Sequence, residues 1–299
     1  MKYSAKNTLA IVVLVMIVII SSCKKSDDGG TLLPVITTPD PHVALVLKDV
    51  SYGTDSLQKV DIYLPANRSI DSTKILYLIH GGAWTAGDKK DFDSNVIVMK
   101  TLLPQYAFVN INYRLATFTG INEWPTQIND VNAAIDFVTN KNSYYQINNN
   151  KLAVMGASAG AQLALLKGYN FNSNHSIKAV VDLFGPTDLI DLYNHPANPT
   201  YPLMLQIFMS GTPATNNANY VSGSPLYSVN ASVPPTIIFQ GTADSTVPMR
   251  QSDSLNLRLT NAGVTKQYIT YTGEGHGWAG NNLIDTYNKA AAFLVANNK

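Results

Sequence analysis

The sequence predicts an α/β fold built on a mostly parallel sheet of eight strands, with helices on both faces. Short runs of β-branched and aromatic residues recur from residue 43 onward, and the later runs are separated by segments long enough for crossover helices. The chain has 299 residues and is 45% hydrophobic, which is ample material for a large buried core. The predicted strands are Val43–Val50, Val60–Leu64, Ile75–Ile79, Phe108–Tyr113, Leu152–Met155, Ala179–Phe184, Thr236–Gln240 and Gln267–Tyr271.

The connections between these strands follow from their spacing. The first two runs are close in sequence, so we expect them to pair as an antiparallel hairpin that opens the sheet. Helices are predicted at Phe92–Leu103, Pro125–Lys141, Ala159–Tyr169, Pro248–Asn261 and Leu283–Asn297. In the second of these, apolar residues recur at helical spacing and predict one buried stripe. Residues 185–235 are rich in Pro and Asn, and we expect them to form an excursion above the sheet that is either a small lid or a surface loop.

Residues 1–22 have the pattern of an export signal. Lys2 and Lys6 precede an apolar run over residues 9–20, which is about the length of a signal-peptide core and too short to span a bilayer comfortably. The segment Ile20-Ser21-Ser22-Cys23 resembles the lipobox of bacterial lipoproteins, which predicts that Cys23 is the lipidated first residue of the mature chain. Ordinary secretion with an unmodified cysteine, or a short uncleaved anchor, are the alternatives.

The rest of the chain divides into a tether and one domain. Residues 23–42 are polar and punctuated by Gly, Thr and Pro, so we expect a flexible tether, and residues 43–299 are expected to form the folded body. This organisation predicts an exported protein anchored by lipid to a bacterial membrane. Lys24 follows the cysteine and Asp27-Asp28 come shortly after it, a pattern that resembles signals for transport to the outer membrane. These residues do not select a leaflet of that membrane.

Charge and composition limit the classes of partner. The formal net charge is +1 and no long basic block is present, which argues against nucleic acid as a partner. One cysteine cannot form a disulfide within the chain. No metal-ligand spacing is apparent in the sequence, so we expect neither a metal nor another cofactor.

A short glycine-rich turn carries the first chemical signal. Residues 156–160 read Gly-Ala-Ser-Ala-Gly and lie between a predicted strand and a predicted helix. A sharp strand-to-helix turn exposes the hydroxyl of Ser158 at the positive end of the helix dipole. The pentapeptide by itself is a modest signal, because ordinary glycine-rich turns share it.

A second motif, His80-Gly81-Gly82-Ala83-Trp84, follows the buried-type strand Ile75–Ile79. Small residues at a strand end leave backbone N–H groups free to bind a developing oxyanion. The N–H groups of Gly82 and Ala83 are the predicted donors, together with that of Ala159 directly after the serine. We expect His80 to orient this loop through a hydrogen bond.

An acid and a histidine follow the last two predicted strands. Asp244 lies after Thr236–Gln240, and His276 lies in a glycine-rich loop after Gln267–Tyr271. In a parallel sheet both loops open on the same edge as the serine turn. Asp188 is the rival acid, although its setting is better explained as a turn in which the carboxylate binds backbone N–H groups.

Taken together, these motifs resemble those of an α/β-hydrolase fold esterase with an HGG oxyanion loop. The nearest families are hormone-sensitive-lipase-like and feruloyl- or acetyl-xylan-esterase-like carboxylesterases. The matching stretches, in family order, are HGGAW at 80–84, INYRL at 111–115, WPTQINDVNAAIDFV at 124–138, GASAG at 156–160, FGPTDL at 184–189, PPTIIFQGTADSTVP at 234–248 and GEGHGW at 273–278. One departure is Ala83, where the family has a third glycine.

The resemblance implies acyl transfer through Ser158 as nucleophile, His276 as general base and Asp244 as its orienting acid. The implied substrates are short-acyl or aromatic-acid esters, as small molecules or on polysaccharide. An amidase, formamidase or peptidase with the same triad is the alternative, and a catalytically dead surface binding protein is a third. Trp84, Tyr113 and Trp278 are candidates for the substrate pocket, or else they pack the loops over the sheet edge.

Overall fold

The computed structural model describes residues 38–299, which include eight strands in one sheet. Their order across the sheet is β1-β2-β4-β3-β5-β6-β7-β8. The strands are β1 Leu45–Ser51, β2 Lys59–Leu64, β3 Ile75–Ile79, β4 Ala107–Ile111, β5 Leu152–Ala157, β6 Ile177–Leu183, β7 Thr236–Gly241 and β8 Lys266–Tyr271. All eight predicted strands are present, and their ends differ from the prediction by at most two residues.

Strand direction agrees with the predicted topology. β2 pairs antiparallel with both β1 and β4, and every other neighbouring pair is parallel. The loops that follow β3, β5, β7 and β8 therefore open on one edge of the sheet. This strand order, with β2 antiparallel in an otherwise parallel sheet, is that of the α/β-hydrolase fold.

Nine α-helices lie within the described part of the chain. They are α1 Asp93–Leu102, α2 Thr126–Thr139, α3 Asn142–Tyr145, α4 Ala159–Tyr169, α5 Leu189–Asn194, α6 Tyr201–Met209, α7 Asn217–Ser222, α8 Arg250–Asn261 and α9 Gly280–Asn297. The five predicted helices correspond to α1, α2, α4, α8 and α9. Within residues 38–299, none of the helices has the length and apolar character needed to cross a membrane.

Helices cover both faces of the sheet, and each face has its own core. On one face α2, α4 and α8 pack against side chains such as Ile75 and Tyr77. On the other face α1 and α9 pack against their neighbours Leu76 and Leu78. Because successive side chains of a strand point to opposite faces, the fully buried run β3 supplies both cores.

The excursion between β6 and β7 is more ordered than a surface loop. It contains the helices α5, α6 and α7. Leu205, Phe208 and Met209 of α6 are fully buried and belong to the same core as α2 and α4. Whether this segment moves as a lid stays a prediction.

Candidate active site

Ser158 lies at the junction of β5 and α4, in a backbone conformation that few residues adopt. Its φ is 54° and its ψ is −123°, which places a non-glycine residue at positive φ. The glycines on either side permit this turn, since a Cβ on Gly156 would lie 2.1 Å from the carbonyl oxygen of Gly160. A Cβ on Gly160 would lie 2.1 Å from the carbonyl oxygen of Ile79. The serine turn therefore packs directly against the end of β3.

The three residues predicted to act together are within hydrogen-bond reach of one another. The Oγ of Ser158 lies 2.8 Å from Nε2 of His276, and Nδ1 of His276 lies 2.7 Å from Oδ2 of Asp244. The consistent assignment is that Nδ1 donates to the carboxylate while Nε2 accepts from the serine hydroxyl. In this state the serine proton has an acceptor already in place.

Asp244 is held by groups that the sequence did not single out. Its side chain is buried, and Oδ1 accepts from the backbone N–H groups of Thr246 and Val247 at 2.8 and 2.9 Å. Oδ2 also accepts from Nε2 of Gln240 at 3.1 Å, and Gln240 accepts in turn from Ser252. These bonds orient the carboxylate toward the imidazole.

The predicted oxyanion donors lie beside the serine turn. A Cβ on Gly81 would lie 2.9 Å from the carbonyl oxygen of Ala157, so the loop after β3 touches the residue that precedes the serine. Gly82 and Ala83 have φ values of 104° and 50°. Their N–H groups donate no hydrogen bond within residues 38–299, and neither does that of Ala159, the first residue of α4. Three N–H groups without a partner in that part of the chain thus lie in the loop after β3 and at the start of α4, the two segments that meet at the serine turn.

His80 supports this loop from below. Its Nδ1 lies 2.8 Å from the carbonyl oxygen of Gly81, and its ring stacks on Tyr113 at a centroid distance of 4.3 Å. Burial lowers the pKa of His80, which favours a neutral ring that donates from Nδ1. The hydroxyl of Tyr113 donates to the carbonyl oxygen of His80 at 2.9 Å. The predicted orienting role of His80 agrees with this geometry.

Two of the three aromatic residues proposed for the substrate pocket are core residues, which corrects that prediction. Trp84 and Tyr113 are each only 1% exposed. Trp84 stacks on Phe208 of α6 at 4.2 Å and donates from Nε1 to Gln162. The other end of Gln162 donates to the carbonyl oxygen of Gly223, so one buried amide joins the oxyanion loop, α4 and the excursion. Both aromatic rings support the loop instead of facing a ligand.

Trp278 lines a cavity of about 220 Å³ whose walls include Ala157 and Gly277, the chain neighbours of Ser158 and His276. Its ring packs edge-on against Phe184, which in turn lies edge-on to His276 with centroids 4.8 Å apart. The Nε1 of Trp278 donates to Thr286 at 2.8 Å, which holds the indole in place. The cavity is lined by Asn95, Ala157, Leu183, Phe184, Gly277, Trp278, Leu283, Thr286 and Tyr287. Its walls are mainly apolar and fit a small apolar or aromatic group.

Comparison with known proteins assigns the chain to a family. The BD-FAE family model, which describes hormone-sensitive-lipase-like α/β-hydrolase esterases, matches residues 60–259. The chain belongs to the BD-FAE family. The matched range includes Ser158 and Asp244, and His276 lies beyond its end. The family match therefore does not include His276, and the placement of this histidine beside Ser158 rests on the structure alone.

Three relatives of this BD-FAE chain illustrate the range of its similarity. It is 25% identical to esterase LipC of Mycobacterium tuberculosis over 79% of this chain and 60% of that protein. It is 29% identical to dipeptidyl peptidase family member 6 of Caenorhabditis elegans over 68% of this chain and 28% of that protein. A solved truncated carbohydrate esterase from gut microbiota has a TM-score of 0.71 and 26% identity, covering 87% of this chain and 98% of that one. The chain spans between about half and three fifths of the length of the first curated relatives it matches.

Other polar residues near the site of this BD-FAE domain have structural partners. Asp188 caps α5 by accepting from the N–H groups of Ile190 and Asp191, as the turn interpretation predicted. Arg114 forms a bidentate ion pair with Asp130. Glu274 accepts from Asn282. In the described ranges, no cluster of three or more His, Cys, Asp or Glu side chains could hold a metal ion.

Proposed function

We propose that this protein is a serine carboxylesterase that works through an acyl-enzyme intermediate, with Ser158, His276 and Asp244 as its triad. The observation that carries the proposal is the continuous hydrogen-bonded relay from the Ser158 hydroxyl through His276 to Asp244. Membership of an esterase family and similarity to a carbohydrate esterase support it.

The first half of the reaction is attack on the ester carbonyl. The oxygen of Ser158 bonds to the carbonyl carbon while its proton passes to Nε2 of His276. Asp244 stabilises the resulting imidazolium, and the N–H groups of Gly82, Ala83 and Ala159 bind the oxyanion. When the tetrahedral intermediate collapses, the alcohol leaves with the proton from Nε2, and the acyl group stays on Ser158.

The second half repeats these steps with water. His276 takes a proton from a water molecule that attacks the acyl carbon, and the proton then returns to Ser158 as the carboxylic acid departs. The half-buried imidazole, 22% exposed, is open to solvent on one side, so water can reach Nε2 once the alcohol has left.

The proposed substrates are short-acyl or aromatic-acid esters, including those attached to polysaccharide. The cavity beside His276 has about 220 Å³ for an apolar or aromatic group, and its walls include Phe184 and Trp278. Aromatic walls favour flat rings through offset and edge-on contacts. A long acyl chain exceeds this volume, so we expect activity to fall steeply with chain length.

A panel of esters tests the proposal. Acetyl, butyryl and decanoyl p-nitrophenyl esters and the methyl ester of a hydroxycinnamic acid are each incubated with the wild-type chain and with the Ser158→Ala variant, and the rates of hydrolysis are compared. Loss of the nucleophile should lower kcat by about 10⁶-fold. Ser72→Ala, at an exposed serine, is the matched control and should be unchanged. Hydrolysis that survives Ser158→Ala would end the proposal.

Amide hydrolysis is the competing activity, because the chain resembles a dipeptidyl peptidase over 28% of that protein's length. Dipeptidyl and formyl anilides presented beside the ester panel separate the two. Higher kcat/KM for the anilides would reassign the enzyme as an amidase. Failure of a fluorophosphonate probe to label the folded protein at Ser158 would instead identify a dead scaffold.

Export and lipid anchoring through Cys23 extend the proposal to the location of the enzyme. Cys23 and the predicted signal at residues 1–22 lie outside the described residues, so the lipobox pattern alone supports this part. Stable anchoring needs more than one acyl chain, which modification of a lipobox cysteine supplies. Cys23→Ser expressed in a bacterial host should move the protein from the membrane pellet to the soluble fraction and abolish labelling by an alkyne fatty acid. Retention in the pellet with undiminished labelling would contradict it.

A further inference from the structure

A second and larger cavity lies at the opposite edge of the sheet from Ser158. Its volume is about 540 Å³, within the range of about 300–1,000 Å³ typical of ligand sites. It is bounded by the C-terminal halves of α2 and α4 and by Leu152, the first residue of β5. We call this cavity the asparagine groove. β5 leads from Leu152 at the groove to Ala157, directly before Ser158. Because a strand rises about 3.3 Å per residue, the groove lies about 20 Å from Ser158.

Side-chain amides are the largest single group in the lining of the asparagine groove. Six of its lining residues are asparagines. Within residues 38–299, the amides of Asn132, Asn140, Asn149 and Asn170 form no hydrogen bond, and Oδ1 of Asn132 is buried without a partner. Each amide offers two donors and an acceptor, so the groove presents both kinds of group along its length. Asn140 and Asn170 are exposed and so are open to a polar ligand, while the buried Oδ1 of Asn132 would gain a hydrogen bond from a donor that such a ligand brings.

Lys167 is a second unsatisfied group in the asparagine groove. The residue is 7% exposed, and across residues 38–299 its ammonium has neither a hydrogen-bond partner nor an ion pair. Burial lowers its pKa, and the charge of Asp136 on the other side of the groove raises it. The stem of Lys167 is buried while its ammonium has no protein partner, so oxygen atoms brought by a ligand could accept its hydrogen bonds. One cation facing one anion gives the groove no net charge, which disfavours phosphate or nucleic acid.

An exposed aromatic ring completes the lining. Phe171 follows the end of α4, is 41% exposed and lines the groove. An aromatic face attracts the slightly positive C–H groups of a sugar ring, while hydroxyl groups both donate to and accept from amides. Few other neutral ligands combine an apolar face with a periphery of hydroxyls.

We propose that the asparagine groove binds a segment of neutral oligosaccharide, as a glycan-holding site separate from the triad. The amides and Lys167 bind sugar hydroxyl and ring oxygens, and Phe171 packs against one ring face. Such a site keeps the enzyme on a polysaccharide while esters are presented at the other edge of the sheet. Binding at the groove does not depend on the proposed esterase activity. A negative result for glycan binding would therefore leave the esterase proposal standing, and a negative result for ester hydrolysis would leave the glycan site standing.

Affinity electrophoresis of the full chain in gels containing soluble xylan tests this site. We expect xylan to retard the wild type, and Phe171→Ala and Asn170→Ala to weaken retardation about tenfold each, which corresponds to about 1.4 kcal/mol. Both positions are exposed, so folding should be retained. Leu257→Ala, at an exposed apolar residue of α8, is the matched control and should migrate as wild type does. Lys167→Met, which keeps the buried stem, should also weaken binding.

Three outcomes would overturn the assignment. One is the absence of retardation in gels of xylan, glucomannan and dextran. Another is retardation that Phe171→Ala and Asn170→Ala leave intact, which would place glycan elsewhere on the chain. The third is loss of retardation in Ser158→Ala alone, which would place it at the triad. Hydrolysis of p-nitrophenyl acetate should be equal in wild type, Phe171→Ala and Asn170→Ala, which confirms that the triad edge is undisturbed.

Discussion

Ser158 illustrates how a single residue can carry a conformational cost that its surroundings compensate. Its φ of 54° is unfavourable for a residue with a side chain, by about 1–3 kcal/mol. The N–H of Ser158 donates to the carbonyl oxygen of Leu183, and the two glycines of the turn remove the clashes that would force it open. The strain points the hydroxyl toward His276. Local sequence could anticipate this turn because the G-x-S-x-G pattern is contiguous, although Gly160 is also required by close approach to Ile79 of β3.

The role of Asp244 gives a prediction with a built-in comparison. Asp244→Asn replaces a carboxylate that binds Nδ1 of His276 by an amide, which favours the wrong tautomer, so kcat should fall by about 10⁴-fold with little change in KM. Asp188→Asn, at the rival acid, should keep kcat, because an asparagine caps α5 nearly as well. Steady-state kinetics on p-nitrophenyl acetate measures both. A larger loss of kcat in Asp188→Asn than in Asp244→Asn would identify Asp188 as the acid of the triad.

At the scale of elements, the strands and main helices were predictable because their patterns are local. β3 reads as an uninterrupted apolar run, and its predicted bounds, Ile75–Ile79, are those observed. The short helices α5 and α7 escaped prediction because six residues are too few to show a helical period. α5 is stabilised by packing and by its cap Asp188, and α7 by packing of its buried Tyr220.

The contact between α6 and the oxyanion loop predicts how firmly the excursion is held. Phe208 is fully buried between Trp84 and Trp124, so Phe208→Ala should destabilise the fold by about 3–5 kcal/mol. Leu203→Ala on the same helix is the control, since Leu203 is 57% exposed and should cost less than about 0.5 kcal/mol. Urea unfolding measures both free energies. A cost below about 1 kcal/mol for Phe208→Ala would indicate that the excursion opens readily, as a lid does.

The stability of the whole molecule should depend on a carboxyl group inside the sheet. Asp182 of β6 is fully buried, Oδ1 accepts from the N–H of Gly185, and Oδ2 has no partner among residues 38–299. Burial raises the pKa of Asp182 from 3.8 to about 7. The folded state therefore holds this proton more tightly than the unfolded state, and between these two pH values its contribution to stability falls as pH rises.

Asp182→Asn should remove this pH dependence, because the amide does not ionise. The free energy of unfolding of the variant minus that of wild type should be higher at pH 7 than at pH 5 by about 2–3 kcal/mol, since each pH unit inside the window is worth about 1.4 kcal/mol. Asp71→Asn, on the exposed surface, controls for the change in net charge. Urea titrations at the two pH values provide the measurement. A difference that does not change with pH would show that Asp182 is ionised throughout.

The amino-acid sequence by itself was enough to predict the order of strands and helices along the chain, the turn at Ser158 and the candidate acid and histidine, since each prediction rests on residues adjacent in the chain. Only the tertiary structure decided which side chains lie between distant segments. Trp84 and Tyr113 could not be recognised as core residues from local pattern, and the bridging amides of Gln162 and Gln240 gave no signal at all. The asparagine groove likewise exists only because the ends of α2 and α4 lie beside the start of β5. Contacts between residues that are far apart in the sequence arise when the elements pack, and the local pattern of apolar and polar residues does not predict them.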